Sequence, residues 1–102
     1  MADWIDVIPA IDLPPAHKHA IFIKHKKLLV CNVAGEYYAI EDLCSHDGGP
    51  LSDGWMANDE IICPRHGARF CIKTGEVTAP PAYESIETFP TRLANGMVQV
   101  FY

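Results

Sequence analysis

The chain has 102 residues, of which 49% are hydrophobic and 21% charged, and a formal net charge of −5 at pH 7. That length supports one domain with a small core, and the balance excludes a disordered or fibrous chain. The acidic charge gives no reason for nucleic-acid or membrane binding, no apolar run approaches the roughly 20 residues of a membrane span, and Met1-Ala2-Asp3-Trp4 lacks a signal-peptide pattern, so a soluble, cytoplasmic protein is expected.

Strand patterns dominate from the start. Trp4 to Ile8, Ala20 to Ile23, Leu28 to Val33 and Tyr37 to Ile40 are β-branched or aromatic runs broken by turn residues, and Ala34-Gly35-Glu36 makes a hairpin turn. His17, His19 and His25 lie among Lys18, Lys24, Lys26 and Lys27, four of the chain's eight basic residues. Their spacing matches no metal site, and they read as a solvated basic strand face, with a docking patch as the alternative. Ile61-Ile62 and the stretch from Ala68 to Ile72 frame a loop, followed by a turn at Lys73-Thr74-Gly75. Ser85 to Phe89 and Met97 to Tyr102 complete the strands, with Asn95-Gly96 suited to a tight turn because both residues tolerate positive φ. Cys31 and Cys71 stand in apolar or alternating stretches and read as reduced thiols in strands. No helix of three turns, repeat or linker is evident. The expected fold class is all-β: a single domain, 1–102, of antiparallel sheets, with a smaller subdomain inserted between residues about 43 and 82.

Chemistry concentrates in that insertion. Cys44-Ser45-His46 and Cys63-Pro64-Arg65-His66 are separated by sixteen residues, and each pair stands in a loop rich in Gly or Pro. Two thiolates and two imidazoles suit a [2Fe–2S] cluster in which Cys holds one iron and His the other. Imidazole donates less charge than thiolate, so the His-bound iron is the easier one to reduce, and the lower negative charge raises the potential above that of an all-Cys cluster. Two Cys and two His also make structural zinc sites, but those pair Cys with Cys and His with His, whereas each pair here mixes the two. A thiol-redox site needs a neighbouring Cys, and neither Cys44 nor Cys63 has one within three positions. A Cys44–Cys63 disulfide leaves the two histidines unexplained. Gly48, Gly49 and Gly67 are expected to let backbone N–H groups approach the cluster, or simply to serve the turns, and Arg65 and Arg69 to anchor the loops on carboxylates such as Asp42, Asp47 or Asp53.

With these ligands, and with Pro80-Pro81 placed like a proline loop over the cluster, the chain resembles the Rieske ferredoxins, small electron carriers of bacterial aromatic-ring dioxygenase systems. The resemblance spans nearly the whole chain. It implies a Rieske fold, one [2Fe–2S] cluster per chain held by Cys44, His46, Cys63 and His66, and a surrounding shell of Gly48, Gly49, Gly67, Pro80 and Pro81. The respiratory and photosynthetic branch carries two further Cys, joined by a disulfide, where this chain has Gly49 and Arg65, and a Ser and a Tyr where it has Ala68 and Phe70. Each missing hydroxyl is a donor lost to the reduced cluster, so the potential is expected at the low end of the Rieske range.

A chain this short has no room for the mononuclear iron domain of an oxygenase, and it has no nucleotide-binding Gly fingerprint. The resemblance therefore implies an electron carrier and not an enzyme, a monomer that accepts single electrons from a flavoprotein reductase and passes them to a terminal oxygenase. Docking is expected around His46 and His66, with Asp47, Pro50, Leu51, Trp55, Pro64 and Pro81 as contact candidates. The rival readings are a Rieske subunit or accessory protein of another redox system, such as a nitrite reductase small subunit or iron–sulfur assembly, and a zinc-stabilised interaction module.

Overall fold

A computed structural model describes residues 2–102; Met1, the first residue of the expected domain, lies outside them. Among the described residues, eleven strands form three antiparallel sheets. The first sheet orders β1 (Trp4–Pro9), β11 (Met97–Phe101) and β10 (Thr91–Ala94). The second orders β2 (Lys18–Ile23), β3 (Lys26–Val33), β4 (Glu36–Glu41) and β9 (Thr88–Phe89). The third runs through β5 (Trp55–Ala57), β6 (Glu60–Ile62), β7 (Arg69–Cys71) and β8 (Val77–Ala79). Short 3-10 turns at Ala10–Asp12 and Leu51–Asp53 are the only helical segments among the described residues.

Strand β3 explains how the layers stack. Its residues from Leu28 to Val33 are all buried, which an edge or half-solvated strand would not allow. Successive side chains point to opposite faces. Leu28 and Val30 join Leu13, Ile23, Ala39, Phe89, Val98 and Val100 in a core against the first sheet. Leu29, Cys31 and Val33 join Ile40, Leu51, Ile61, Phe70 and Ile72 in a second core against the third sheet. The central sheet is thus covered on both sides, and the chain builds the third layer after leaving β4 and before returning through β9.

Turn chemistry sets the registers. Ala34 (φ 54) with Gly35 (φ 93), and Asn95 (φ 53) with Gly96 (φ 76), are tight turns with two positive φ values, which match the twist of the strands they join. Lys24 (φ 47) and His25 (φ 71) make the β2–β3 turn in the same way, without glycine. Ser85 to Phe89 forms less strand than its residues predict. Ile86 donates its N–H to Gly75 O instead (2.9 Å), tying the return segment to the third sheet, while Thr88 and Phe89 pair with β4 and Glu87 O accepts the Glu41 N–H at its end (2.9 Å).

Candidate metal centre

Two loops of the third layer carry the four predicted ligands, and they share one backbone design. In the first, Cys44 N–H donates to Gly49 O (2.8 Å) and Cys44 O accepts from Gly48 N–H (2.7 Å). In the second, Cys63 N–H donates to Ala68 O (2.8 Å) and Cys63 O accepts from Gly67 N–H (3.2 Å). Gly48 and Gly67 both stand at φ +76, a conformation that costs a residue with a Cβ. No protein atom lies within 4 Å of a Cβ built on either, so backbone conformation, rather than room among the protein atoms, is what these glycines supply. Cys71 and Gly75 repeat the pattern at the β7–β8 turn, with Gly75 N–H to Cys71 O at 2.7 Å, but no histidine follows there.

The donors separate by type. Cys44 and Cys63 are buried (0% and 1% exposed) in the core between the second and third sheets. Their sulfurs and a carboxylate oxygen of Asp47 lie within 4.8 Å of one another. His46 and His66 are exposed, with ring centroids 5.1 Å apart and planes at 81°, and their ring nitrogens also group with Asp47 within 4.8 Å. Among the described residues no such group holds both thiols and both imidazoles. A single tetrahedral zinc needs all four donors at about 2.0–2.3 Å from one point. A thiol pair set in the core beside an imidazole pair facing solvent suits two metal ions side by side. The donor set therefore fits the cluster better than it fits zinc.

Electrostatics at the site follow from burial and backbone. Burial pushes the Cys44 thiol up from its ordinary value, while the backbone N–H groups of His46 and Asp47 pull it down. Those N–H groups are positioned to stabilise a thiolate once a metal compensates for the burial. The Asp47 carboxyl is held below the usual carboxylate value, chiefly by the Gly49 N–H (2.9 Å to Oδ1) and next, among its stabilising partners, by Arg65.

Neighbouring segments lock the loops. Ser45 Oγ donates to Glu84 O (2.6 Å), joining the first loop to the segment that follows Pro80-Pro81. Ala82 of that segment is buried with Cys44 and Cys63. Asp42, itself 5% exposed, accepts the Ser52 N–H on Oδ1 at 2.7 Å and so closes the base of the first loop. Neither the Ser45–Glu84 nor the Asp42–Ser52 contact was legible in the sequence, because nothing in residue spacing pairs a serine with a carbonyl 39 positions away.

Other expectations need adjustment. Arg65 does reach Asp47 (Nε to Oδ2, 3.5 Å), but Arg69 pairs with Glu60 (3.3 Å), diagonally across the β6–β7 ladder, and not with an aspartate. Leu51, expected at the docking surface, is fully buried, whereas Trp55 is 59% exposed. Leu43, beside Cys44, and Tyr83, in the proline segment, are exposed apolar side chains that the sequence reading missed. Cys31 is buried in β3, its thiol pushed up to about 12 by desolvation, and Cys71 is half-buried at the end of β7. The basic segment is engaged within the fold: Lys18 donates to Ser52 O (2.8 Å), Lys24 to Tyr102 O (2.9 Å), and Lys26 pairs with Glu87 (2.9 Å).

An all-β scaffold whose Cys-x-His and Cys-x-x-His loops set two thiols against two imidazoles defines a class of iron–sulfur protein, and sequence and structural comparisons place the chain in it. The family model for the Rieske [2Fe-2S] domain matches residues 3–90. The ferredoxin component of the naphthalene 1,2-dioxygenase system of Pseudomonas aeruginosa is 32% identical over 97 residues, covering 95% of this chain and 93% of the relative. The biphenyl 2,3-dioxygenase ferredoxin component of Rhodococcus jostii is 38% identical over 89 residues, 87% of this chain and 83% of that one. Among solved structures, a ferredoxin of Sphingomonas yanoikuyae superposes with a TM-score of 0.92 at 30% identity, covering 98% of this chain and 99% of that chain. A chain from the complex of reduced oxygenase and oxidised ferredoxin in carbazole 1,9a-dioxygenase gives 0.91 at 32% identity, over 95% of this chain and 91% of its own length. The chain belongs to the Rieske [2Fe–2S] domain family. It carries one [2Fe–2S] cluster and is an electron-transfer protein.

Proposed function

We propose that this chain is the ferredoxin of a multicomponent ring-hydroxylating oxygenase system, taking single electrons from a flavoprotein reductase and giving them to a terminal oxygenase. Cys44 and Cys63 hold the inner iron and His46 and His66 the outer one, within a cluster-binding subdomain of residues about 43 to 82. The observation that carries this reading is the division of the donors into a buried thiol pair and an exposed imidazole pair. When bound, the cluster supplies a site that accepts and releases one electron.

The protein's own residues do the rest. The buried cysteines exclude water from the inner side, and the N–H groups of His46 and Asp47 favour the thiolate. His46 and His66 face outward and give a partner its shortest route to the metal. Asp47, Pro50, Pro64 and Pro81, together with the exposed Leu43 and Tyr83, are the candidates for contact with a partner; Trp55, on β5, is exposed as well. Gly48, Gly49 and Gly67 shape the two loops, and Pro80 and Pro81 begin the segment pinned to Ser45. The acidic net charge favours basic partner surfaces in fast, salt-sensitive encounters. A monomer working in the cytoplasm fits a carrier that must visit two partners; no helix of the described residues is long and apolar enough to cross a membrane.

The experiment that tests this reading mixes the oxidised protein with a flavoprotein reductase and a nicotinamide donor, then adds a Rieske oxygenase, following the cluster absorbance in a stopped-flow instrument. Rapid bleaching by the reductase, return of colour with the oxygenase, and slower steps at higher salt are expected. Failure of reduced protein to pass its electron to any ring-hydroxylating oxygenase tried, with ready transfer to another redox enzyme, would move the chain to a different electron-transfer system.

A further inference from the structure

Asp47 and Arg65 occupy the two loops that carry the ligands, one residue after His46 and one before His66. Oδ1 of Asp47 accepts the Gly49 N–H at 2.9 Å. Oδ2 lies 3.5 Å from Arg65 Nε and 3.8 Å from His66 Nδ1. Arg65 reaches across the first loop directly over Gly49, where an added Cβ would stand 3.2 Å from Arg65 Cδ and 3.4 Å from Nη1. Residues 49 and 65 are also where the high-potential branch carries its disulfide-forming cysteines. Here Arg65 instead brings a fixed positive charge to the fixed negative charge of Asp47, two residues before Gly49.

We propose that Asp47 and Arg65 form a charge-compensated pair that sets the reduction potential, the Asp47 carboxylate opposing the incoming electron and the Arg65 guanidinium cancelling part of that opposition. This rests on the proposed function. Reduction adds one negative charge behind the imidazoles. A carboxylate beside His66 disfavours that charge, and a guanidinium favours it. The two do not cancel fully, because the Asp47 side chain keeps 17% of its accessible surface and Arg65 keeps 60%. Water and salt screen the more exposed charge more strongly. As an exposed ion pair, Asp47–Arg65 contributes little to stability; its position beside His66 gives it leverage on the electron. The ionisable groups around Asp47 are Arg65, His46 and His66, together with the Cys44 and Cys63 thiols within 4.8 Å, so removing either member of the pair leaves the other uncompensated next to a ligand.

The test uses the intact, cluster-loaded protein at low salt, with iron and sulfide content and the reduced-state paramagnetic signal checked in each form. Midpoint potentials are measured for Asp47→Asn, Arg65→Gln and the double variant. Asp47→Asn is expected to raise the potential, by a shift of about threefold or more in the reduction equilibrium constant, ~28 mV at 59 mV per tenfold for one electron. Arg65→Gln is expected to lower it by less, and the double variant to fall between the two singles. A purely structural clasp has no reason to give opposite signs. Shifts of the same sign, or none with the cluster retained, overturn the proposal. If one single variant loses its iron, the sign of the other decides; loss of iron from both makes the pair a structural fastening and also overturns it. A wild-type protein without an iron–sulfur cluster would refute the proposed function itself, a distinct result seen before any variant is made.

Discussion

Replacing Gly67 isolates what the ligand loops demand of their glycines. Gly67 stands at φ +76 with no protein atom within 4 Å of an added Cβ, so alanine there meets a conformational penalty and no clash with the protein. Left-handed backbone costs an L-residue about 1–2 kcal/mol. Alanine also restricts the unfolded chain, which returns roughly 0.4–1 kcal/mol, leaving a net destabilisation of about 1 kcal/mol. Asparagine tolerates the left-handed region and should cost less. Gly54→Ala provides the contrast: its backbone is extended (φ −92), but the new Cβ would overlap Ile62 O and force β6 to move. The assay is anaerobic urea unfolding followed by far-ultraviolet circular dichroism and by bleaching of the cluster, comparing midpoints rather than extrapolated free energies, because a bound cluster breaks two-state behaviour. Midpoints should fall in the order wild type, Gly67→Asn, Gly67→Ala, with Gly54→Ala well below. An asparagine variant that loses its cluster as readily as the alanine variant would refute this reasoning and show that Gly67 provides clearance around the metal instead.

Two other perturbations probe the surroundings of the thiols. Ala68 and Phe70 are fully buried beside Cys44 and Cys63, and Ala68→Ser with Phe70→Tyr should raise the midpoint potential by adding donors toward the reduced cluster; an unchanged potential in a cluster-loaded variant would mean neither hydroxyl reaches it. Cys31, with its thiol pushed from 9.0 up to about 12 by burial, should resist alkylation in the native protein at pH 8, and mass spectrometry locating a modification there would contradict its placement in β3. The same shift carries a pH dependence: below pH 9 the thiol is protonated whether folded or not, and between pH 9 and 12 the unfolded chain loses that proton first, so this contribution to stability falls as pH rises. Cys31→Val should remove that part of the alkaline loss, as measured by thermal midpoints from pH 8 to 11.

The two candidate ligand loops stand out in the sequence because their chemistry is local. Cys44 with His46, and Cys63 with His66, lie within three residues of each other, and glycine marks each turn. The Leu28–Val33 run announced a strand, but not that its two faces serve different cores, since continuous burial erases the alternation from which a face is read. Strands β5 and β8 span three residues each and carry no period to detect. Leu51 was expected outside because it lies close to His46 in the chain, yet the 3-10 turn at Leu51–Asp53 folds it into the core between the second and third sheets. The turn at Lys24-His25 has no glycine, so its positive φ values come from the β2–β3 pairing around it. Contacts such as Ser45 to Glu84 and Asp42 to Ser52 join loops distant in the chain. They are properties of the assembled layers and leave no local signal.

Two cysteines and two histidines dividing between two irons is the feature on which the proposed electron transfer depends. Low-temperature electron paramagnetic resonance of the anaerobically purified protein, before and after dithionite, tests it most directly, with His46→Ala, His66→Ala and Cys71→Ser measured alongside. The expected result is a brown protein that is silent when oxidised and, once reduced, gives a rhombic signal with an average g below that of an all-Cys cluster. This division of ligands also requires that signal to vanish in either histidine variant and to survive in Cys71→Ser. A colourless, silent protein with stoichiometric zinc, or a Rieske signal intact without His46 or His66, would contradict it.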